Sequence, residues 1–253
     1  MWIFLLIVLA VVVYFVVSQA SNSNQASKAS SRTQASKASS QNYTNQVDYS
    51  NLEIRSLETS GSNSFNWDYR HLRDLLAEGK WREADKETSN MILLVTNHET
   101  ETKGIYLSIL ILPHTPCEDI CIIDRLWLKY SNGRFGFSVQ RRIISDIGEE
   151  IGEKNALSIM CDYKTTGESA DRLRLQVKLN RKFHERIGWN APDRDTYGYT
   201  DLKDYNDLTF SIQAPYGHLP TLNRPELHHT LENVNDVSLL ALLMRFSKCG
   251  IAL

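Results

Sequence analysis

The N-terminal quarter of the chain consists of a strongly apolar run followed by a strongly polar one. Residues 1–17 read MWIFLLIVLAVVVYFVV, without charge or helix breaker, which is the short end of the about 17 to 25 residues that a membrane-spanning helix needs. No basic residue precedes this run, and the first one, Lys28, follows it. The pattern predicts a transmembrane anchor over residues 1–18, with the rest of the chain on the cytoplasmic or stromal side. The sequence SQA at 18–20 leaves a cleaved secretory signal as an alternative.

The polar run that follows has the composition of a linker. Residues 19–64 are dominated by Ser, Asn, Gln, Ala and Thr, and QASKASS occurs at 25–31 and again at 34–40. Such a segment lacks the apolar surface that would offset the entropy of ordering. We therefore expect a disordered linker, and a single globular domain over residues 65–253.

The globular part begins with a pattern typical of two antiparallel helices. Asp68 is placed to cap the first helix, and Gly79 to end it. A second apolar periodicity starts at Trp81. The apolar positions are Tyr69, Leu72, Leu75 and Leu76 in the first helix, and Trp81, Ala84, Met91, Ile92 and Val95 in the second.

Helix signals recur later in the chain. Thr115, Pro116 and Glu118 form a predicted helix start, with Thr115 as the cap and Glu118 as its capping-box partner. That helix is predicted to break at Ser131-Asn132-Gly133. The next is predicted to end at Gly148, and a last one to be capped by Asp236. Their apolar positions are Ile120, Ile123, Trp127 and Tyr130; then Val139, Ile143 and Ile147; then Leu239, Leu240, Leu242, Leu243 and Phe246.

The middle of the chain is harder to interpret. Between about residues 150 and 215, the alternation of Leu173, Leu175, Val177 and Leu179 is typical of a strand. Residues 105–112 also suggest a short strand. We nevertheless expect an all-α fold, a helical domain with long loops and at most a short hairpin.

Charge and cysteine content narrow the function. A formal net charge of −2 argues against binding to nucleic acid through global charge. Four cysteines are too few for a disulfide scaffold, so we expect thiols in a reducing compartment. Cys117 and Cys121 fit a metal or redox pair less well than buried helical thiols.

The chain carries no motif of a common catalytic site. No Gly-rich phosphate loop, G-x-S-x-G elbow or H-E-x-x-H is present. His228 and His229 are adjacent, but no third metal ligand accompanies them. We therefore expect neither catalytic residues nor a metal site.

Four segments resemble the Genomes Uncoupled Four (GUN-four) family of porphyrin-binding activators of magnesium chelatase in oxygenic phototrophs. They are YRHLRDLLAEGKWREADKET at 69–88, DICIIDRLWLKYSNGRFGFSVQRRI at 119–143, RIGW at 186–189 and DLTFSIQAPYGHLP at 207–220. The resemblance implies a cupped, all-helical domain that holds protoporphyrin IX or Mg-protoporphyrin IX as a bound ligand. It also implies a magnesium chelatase subunit as a candidate partner.

The chemistry of a porphyrin suggests which side chains would line such a cleft. The ligand is a flat apolar disc with two propionates at one edge, so its site needs apolar walls and a few cations or amides at the rim. Leu128, Phe135 and Phe137 flank the predicted break, and by resemblance Leu128 and Phe137 match apolar cleft positions. The alternative is that both phenylalanines fill the core.

The other candidate pigment ligands have structural alternatives. By resemblance, Arg245 matches an arginine that contacts the pigment's carboxylate, but it also suits a solvated helix end. His218 and Leu219 lie in the GHLP segment, where a hydrogen-bonded structural histidine is the alternative to a metal ligand. Trp189 suits the core as well as it suits the pigment.

The sequence departs from the family in four respects. Ile144 replaces a usual tryptophan, residues 151–178 are added, the segment after GHLP is shortened, and the chain starts with an anchor. We therefore expect non-catalytic tetrapyrrole binding at the membrane of a phototroph, with a role in chlorophyll biosynthesis. The alternative is an interaction module that uses the same cup without a pigment.

Overall fold

The computed structural model describes residues 58–60, 66–100, 112–162, 170–196, 199–222 and 234–249. The predicted anchor and almost all of the predicted linker lie outside these residues. Within the described ranges, every helix is either too short or too polar to cross a membrane.

Two short strands precede the first helix. β1 (Glu58–Ser60) and β2 (Asn66–Asp68) are antiparallel, with Glu58 opposite Asp68. β1 falls within the range that the sequence assigned to the linker, so regular structure begins before the expected domain start at residue 65.

The predicted helix pair is confirmed as α1 (Arg70–Ala77) and α2 (Trp81–Thr100). A carboxylate oxygen of Asp68 accepts the backbone N–H of Arg70 at 2.9 Å, although Tyr69 occupies the capping position. The side chains that the pattern singled out are buried, apart from the partly exposed Leu75. The buried ones are Tyr69, Leu72, Leu76, Trp81, Ala84, Met91, Ile92 and Val95.

The helix predicted to start at Thr115 is α3 (Cys117–Ser131), preceded by a 3-10 turn at Leu112–His114. The predicted cap is wrong, because Pro116 holds the capping position and makes no side-chain cap bond. The hydroxyl of the buried Thr115 donates to the carbonyl of Leu112 at 2.9 Å instead. Of the predicted strand over 105–112, only Leu112 is described, and it lies in this turn.

The next helix, α4 (Phe137–Ile151), passes through the glycine that was predicted to end it. A Cβ at Gly148 would lie 2.4 Å from the carbonyl oxygen of Glu153. The backbone N–H of Glu153 also donates to the carbonyl of Gly148 at 2.7 Å. Gly148 therefore permits a close backbone contact, and the helix ends at Gly152.

The alternating segment is helical, so the predicted strand is wrong. α5 (Ala156–Met160) and α6 (Ala170–Ile187) occupy this part of the chain. α6 is buried through Leu179, Phe183 and Ile187, four residues apart, whereas Leu173 is 45% exposed. The strand prediction failed because the first half of the alternating segment lies in an exposed part of α6, where the alternating residues form no buried face.

A hairpin follows α6, as the sequence allowed. β3 (Asn190–Thr196) and β4 (Tyr199–Leu202) pair antiparallel, with a register shift between Asn190 and Asp195. The described part of the chain is predominantly helical, in agreement with the expected class.

The last helix, α7 (Val234–Lys248), begins two residues before the predicted cap, so Asp236 lies in its first turn. Its apolar positions were predicted correctly. Those buried are Leu239, Leu240, Leu242, Leu243 and Phe246.

The expectation of unpaired cysteines is wrong for two of the four. Cys117 and Cys249 form a disulfide, with their Cα atoms 5.5 Å apart, whereas Cys121 and Cys161 remain thiols. The partners are separated by 132 residues in sequence, so no local pattern could have paired them.

Candidate functional site

The turn between α3 and α4 places the two phenylalanines that the sequence singled out. Asn132 (φ 51°) and Gly133 (φ 72°) reverse the chain in the left-handed region, as the Asn-Gly pair predicts. The Ser131 hydroxyl accepts the backbone N–H of Phe135 at 2.8 Å. The turn is therefore closed by its own side chain, which fixes the directions in which Phe135 and Phe137 leave it.

Gly136 connects this turn to the C-terminal loop that precedes α7. Its N–H donates to the carbonyl of Leu219 at 3.0 Å. Its φ is 135°, and a Cβ would lie 2.8 Å from a carboxylate oxygen of Asp124 and 3.6 Å from a side-chain carbon of Leu128. Only glycine fits here without strain. Gly136 thus brings Leu128, Leu219 and the start of α4 together.

Asp124 anchors the start of α4 from α3. One carboxylate oxygen accepts the backbone N–H of Ser138 at 2.9 Å and its hydroxyl at 3.1 Å. Burial raises the pKa of Asp124 to about 6, while the Ser138 hydrogen bonds act in the opposite direction. This role of Asp124 could not be predicted from the local sequence, because Ser138, whose N–H its carboxylate accepts, lies on the next helix.

Phe135 and Phe137 point into different parts of the core. The Phe135 ring lies edge-on to Trp81, 5.5 Å between centroids, and 6.2 Å from Trp127. The Phe137 ring lies 6.5 Å from that of Phe246 on α7. Both phenylalanine rings are fully buried, whereas Leu128 retains 8% exposure. The turn therefore joins an aromatic cluster on the α2 side to a second one on the α7 side.

Trp189, His218 and Leu219 form a hydrogen-bonded unit in the core. The indole N–H of Trp189 donates to the carbonyl of His218 at 2.9 Å. Nδ1 of His218 donates to the carbonyl of Ile187 at 2.6 Å, and its Nε2 accepts the backbone N–H of Thr209 at 3.1 Å. Both ring nitrogens are therefore engaged, and His218 has no nitrogen available to a metal in this arrangement.

The environment of His218 also keeps it neutral. Burial lowers the pKa of His218 to about 4, and the bond to the Ile187 carbonyl acts in the opposite direction. The histidine thus serves to fix the GHLP segment, which was the alternative weighed for it.

Two arginines contact side chains and backbone of the loop over residues 203–222. Neither was predicted from the sequence. The guanidinium of Arg82 lies 4.5 Å from the ring centroid of Phe210. That of Arg134 lies 4.3 Å from the ring of Tyr216 and donates to the carbonyl of Ala214 at 2.9 Å. Cation–π contacts of this kind stabilise the loop even where the arginine is partly exposed.

A third tie joins this loop to α2 through a buried carboxylate. Asp85 accepts the backbone N–H of Thr221 at 2.6 Å and its hydroxyl at 2.7 Å, and the hydroxyl of Tyr205 at 3.1 Å. Burial raises the pKa of Asp85 to about 6, and these hydrogen bonds oppose the shift. Asp85 therefore fixes the last described residues of the loop before α7.

The cations near the second aromatic cluster are Arg141 and Arg245. Arg245 is partly buried, and its Nε donates to the carbonyl of Thr115 at 2.8 Å. The guanidinium of Arg141 lies 5.4 Å from the Phe246 ring centroid. Burial lowers the pKa of Arg141, and the nearby Asp124 carboxylate opposes that shift. Arg141, which sequence analysis did not select, is thus a cation at the edge of the Phe137–Phe246 contact.

No grouping of three or more His, Cys, Asp or Glu side chains suited to a metal ion occurs among the described residues. His228 and His229, the pair considered from the sequence, lie outside the described ranges.

The chain has relatives among known proteins. It is 30% identical over 155 residues to the "Tetrapyrrole-binding protein, chloroplastic" of Arabidopsis thaliana, covering 60% of this chain and 47% of that protein. It is 26% identical over 158 residues to the "Ycf53-like protein" of Synechocystis sp., covering 62% and 52%. The chain thus spans about half the length of these curated relatives.

Solved structures are similar as well. The ligand-free structure of Arabidopsis thaliana GUN4 is 22% identical with a TM-score of 0.44, covering 77% of this chain and 97% of that one. The structure of GUN4 from Chlamydomonas reinhardtii is 22% identical with a TM-score of 0.45, covering 79% and 98%.

A family model described as "GUN4-like" matches residues 62–236. This range takes in the helix pair, the turn between α3 and α4, Trp189, and the whole loop over residues 203–222, which carries His218 and Leu219. Because the match covers well over half of the sequence, the chain belongs to the GUN4-like family.

Proposed function

We propose that this protein binds a tetrapyrrole without catalysing a reaction on it. Family membership and the printed name of the Arabidopsis relative support the ligand class. The observation that carries the proposal in this chain is the juxtaposition of an apolar cluster (the rings of Phe137 and Phe246) with the partly buried cation of Arg141.

The chemistry of this cluster fits the ligand. A tetrapyrrole presents two apolar faces and, in protoporphyrins, two carboxylates at one edge. An apolar wall with a desolvated guanidinium beside it suits that distribution, because charge-assisted pairing to a carboxylate is strongest away from water. Protoporphyrin IX and its magnesium complex are the forms we propose.

Each predicted site residue has a place in this proposal. Leu128 and Phe137 form the apolar wall, and Arg245 is a second candidate for the carboxylate. Phe135, which packs on Trp81 and Trp127, and the hydrogen-bonded Trp189, His218 and Leu219 hold the turn and the loop in position. The wall depends on this supporting layer, because Gly136 is hydrogen-bonded to Leu219.

The cellular setting is also a proposal. Residues 1–18 would hold the protein at a membrane of a phototroph, in chlorophyll biosynthesis, with a magnesium chelatase subunit as a protein partner. The full chain should then sediment with membranes and resist extraction by high salt. Recovery of a mature protein that starts near residue 21 would favour a cleaved signal instead.

The direct test is a titration of the full chain with protoporphyrin IX and with Mg-protoporphyrin IX. We expect a red-shifted Soret band and quenching of tryptophan emission, because Trp81, Trp127 and Trp189 are all buried in the described domain. A helical, cooperatively folded chain that binds neither pigment at micromolar concentration would contradict the proposal. That result would favour an interaction module.

A further inference from the structure

The disulfide joins two ends of the domain that both border the proposed site. Cys117 is the first residue of α3, and Cys249 directly follows the last residue of α7. The closed loop between them contains every residue proposed for the pigment site. The bond therefore fixes the end of α7 against the start of α3.

Noncovalent contacts also hold the last turn of α7 in place. Nε of Arg245 donates one hydrogen bond to the carbonyl of Thr115, beside the start of α3. Sγ of Cys249 lies 3.4 Å from the carbonyl oxygen of Arg245. Phe246 contacts Phe137 and lies near Arg141. The same turn thus carries the disulfide, one proposed cation and one wall of the apolar cluster.

Both cysteines of the disulfide are of intermediate exposure. Cys121 and Cys161 remain thiols. A single disulfide in a chain that also has thiols differs from a disulfide scaffold, in which several bridges stabilise a domain that lacks a sufficient hydrophobic core. It resembles the isolated disulfides that respond to redox conditions. Burial raises the pKa of the Cys121 thiol, so exchange with the bridge would need an external thiolate.

We propose that the Cys117–Cys249 disulfide is a redox latch that sets the affinity of the tetrapyrrole site, an inference that rests on the proposed function. A dithiol reductant attacks one sulfur as a thiolate, and a mixed disulfide forms as the Cys117–Cys249 bond breaks. The second thiolate of the reductant then attacks the mixed disulfide and releases the reduced protein. The bridge takes up two electrons and two protons, and the dithiol becomes a disulfide.

Reduction acts on the site through the position of α7. With the bridge closed, Arg245 and the buried ring of Phe246 are held in the arrangement described above. With it open, the last turn of α7 loses its covalent tie to the start of α3 and keeps noncovalent contacts, among them the hydrogen bond to Thr115 and the contacts of Phe246 with Phe137 and Arg141. Binding must then supply part of the ordering entropy, so affinity falls.

The test compares oxidised and dithiothreitol-reduced full chain, with Cys117→Ser/Cys249→Ser as the permanently open form and Cys121→Ser as the matched control. Thiol counting should give two free thiols in the oxidised chain and four after reduction. Protoporphyrin IX should bind the oxidised chain about threefold to tenfold more tightly. The double variant should match reduced protein in both states, and Cys121→Ser should respond to reduction as the unmodified chain does.

Hydrogen exchange of the α7 amides supplies a readout that does not depend on pigment. It should increase on reduction for the last turns of α7, while α1 and α2 stay protected. Four thiols in the oxidised chain, or equal α7 exchange and equal affinity in both states, would overturn the latch. Faster α7 exchange without pigment binding in either state would contradict the proposed function and leave the conformational latch standing.

Discussion

The ring of Phe137, at the start of α4, lies 6.5 Å from the ring of Phe246 near the end of α7, and both rings are fully buried. This contact is where the proposed apolar wall meets the helix that the disulfide holds. Phe135, two residues earlier, packs on Trp81 and Trp127 instead. The two phenylalanines therefore form a matched pair for separating pigment contact from core packing.

We predict that Phe137→Leu weakens binding of protoporphyrin IX by roughly tenfold, because it removes apolar surface from the wall. Phe135→Leu should leave the affinity of the folded protein unchanged. Each substitution should lower the free energy of unfolding by about 1 to 3 kcal/mol, since each leaves a buried ring incompletely replaced. Equal affinities for the two variants, measured by Soret titration alongside urea unfolding, would move the site away from Phe137.

The position of the carboxylate-binding cation is open to a direct comparison. Arg141→Met keeps the apolar stem and removes the charge, and we predict that it weakens protoporphyrin IX binding about threefold to tenfold. Arg245→Met should have a smaller effect, because its guanidinium already bonds to the Thr115 carbonyl.

Octaethylporphyrin, which lacks carboxylates, is the control ligand for this comparison. Its affinity should not change in Arg141→Met, because it offers no carboxylate to the guanidinium. A larger loss in Arg245→Met than in Arg141→Met would return the cation to the position that the sequence indicated.

Asp85 gives a prediction for stability against pH. Its pKa is raised to about 6 in the fold from an ordinary value near 3.8, so the folded state binds the proton more tightly than the unfolded state. Its contribution to stability is therefore greatest below about pH 4 and falls as the pH rises through 6.

The measurement is the difference in unfolding free energy between the natural chain and Asp85→Asn, from urea titrations between pH 4 and pH 7. We expect the natural chain to lose roughly 1 to 3 kcal/mol relative to the variant across this window. A difference that stays constant with pH would show that the Asp85 carboxyl is not titrating in the folded protein.

His218 should produce the opposite slope. Its pKa is lowered from 6.5 to about 4 by burial, so the neutral ring contributes its full stability above pH 6.5, and that contribution is lost as the pH falls towards 4. The natural chain should therefore lose stability relative to His218→Asn on acidification. Titration of the His218 ring signals by NMR should give a midpoint near pH 4.

Local patterns were sufficient for much of the helical framework. Apolar periodicity predicted α1, α2 and α3, because each buries a face through residues three or four apart in sequence. The Asn132-Gly133 break was also predicted, since left-handed backbone conformations favour these two residue types. The resemblance then supplied the expected ligand and most of the site residues, which no periodicity could have indicated.

Only the tertiary structure decided the features that depend on contacts outside the local apolar pattern. Leu173 and Leu175 alternate like a strand, but the helix they belong to packs through Leu179 and later residues. Gly148 has the residue type of a helix end, yet its missing Cβ makes room for the carbonyl of Glu153. In both cases the partner that determined the conformation lies outside the local pattern.

The site itself divides in the same way. The sequence by itself determined the Leu128-to-Phe137 turn, because its closing contacts are local. The structure decided that Arg141 lies at the Phe246 ring and that Cys117 pairs with Cys249. These pairings join residues more than a hundred positions apart, and such pairs are selected only by how the helices pack once the chain has folded.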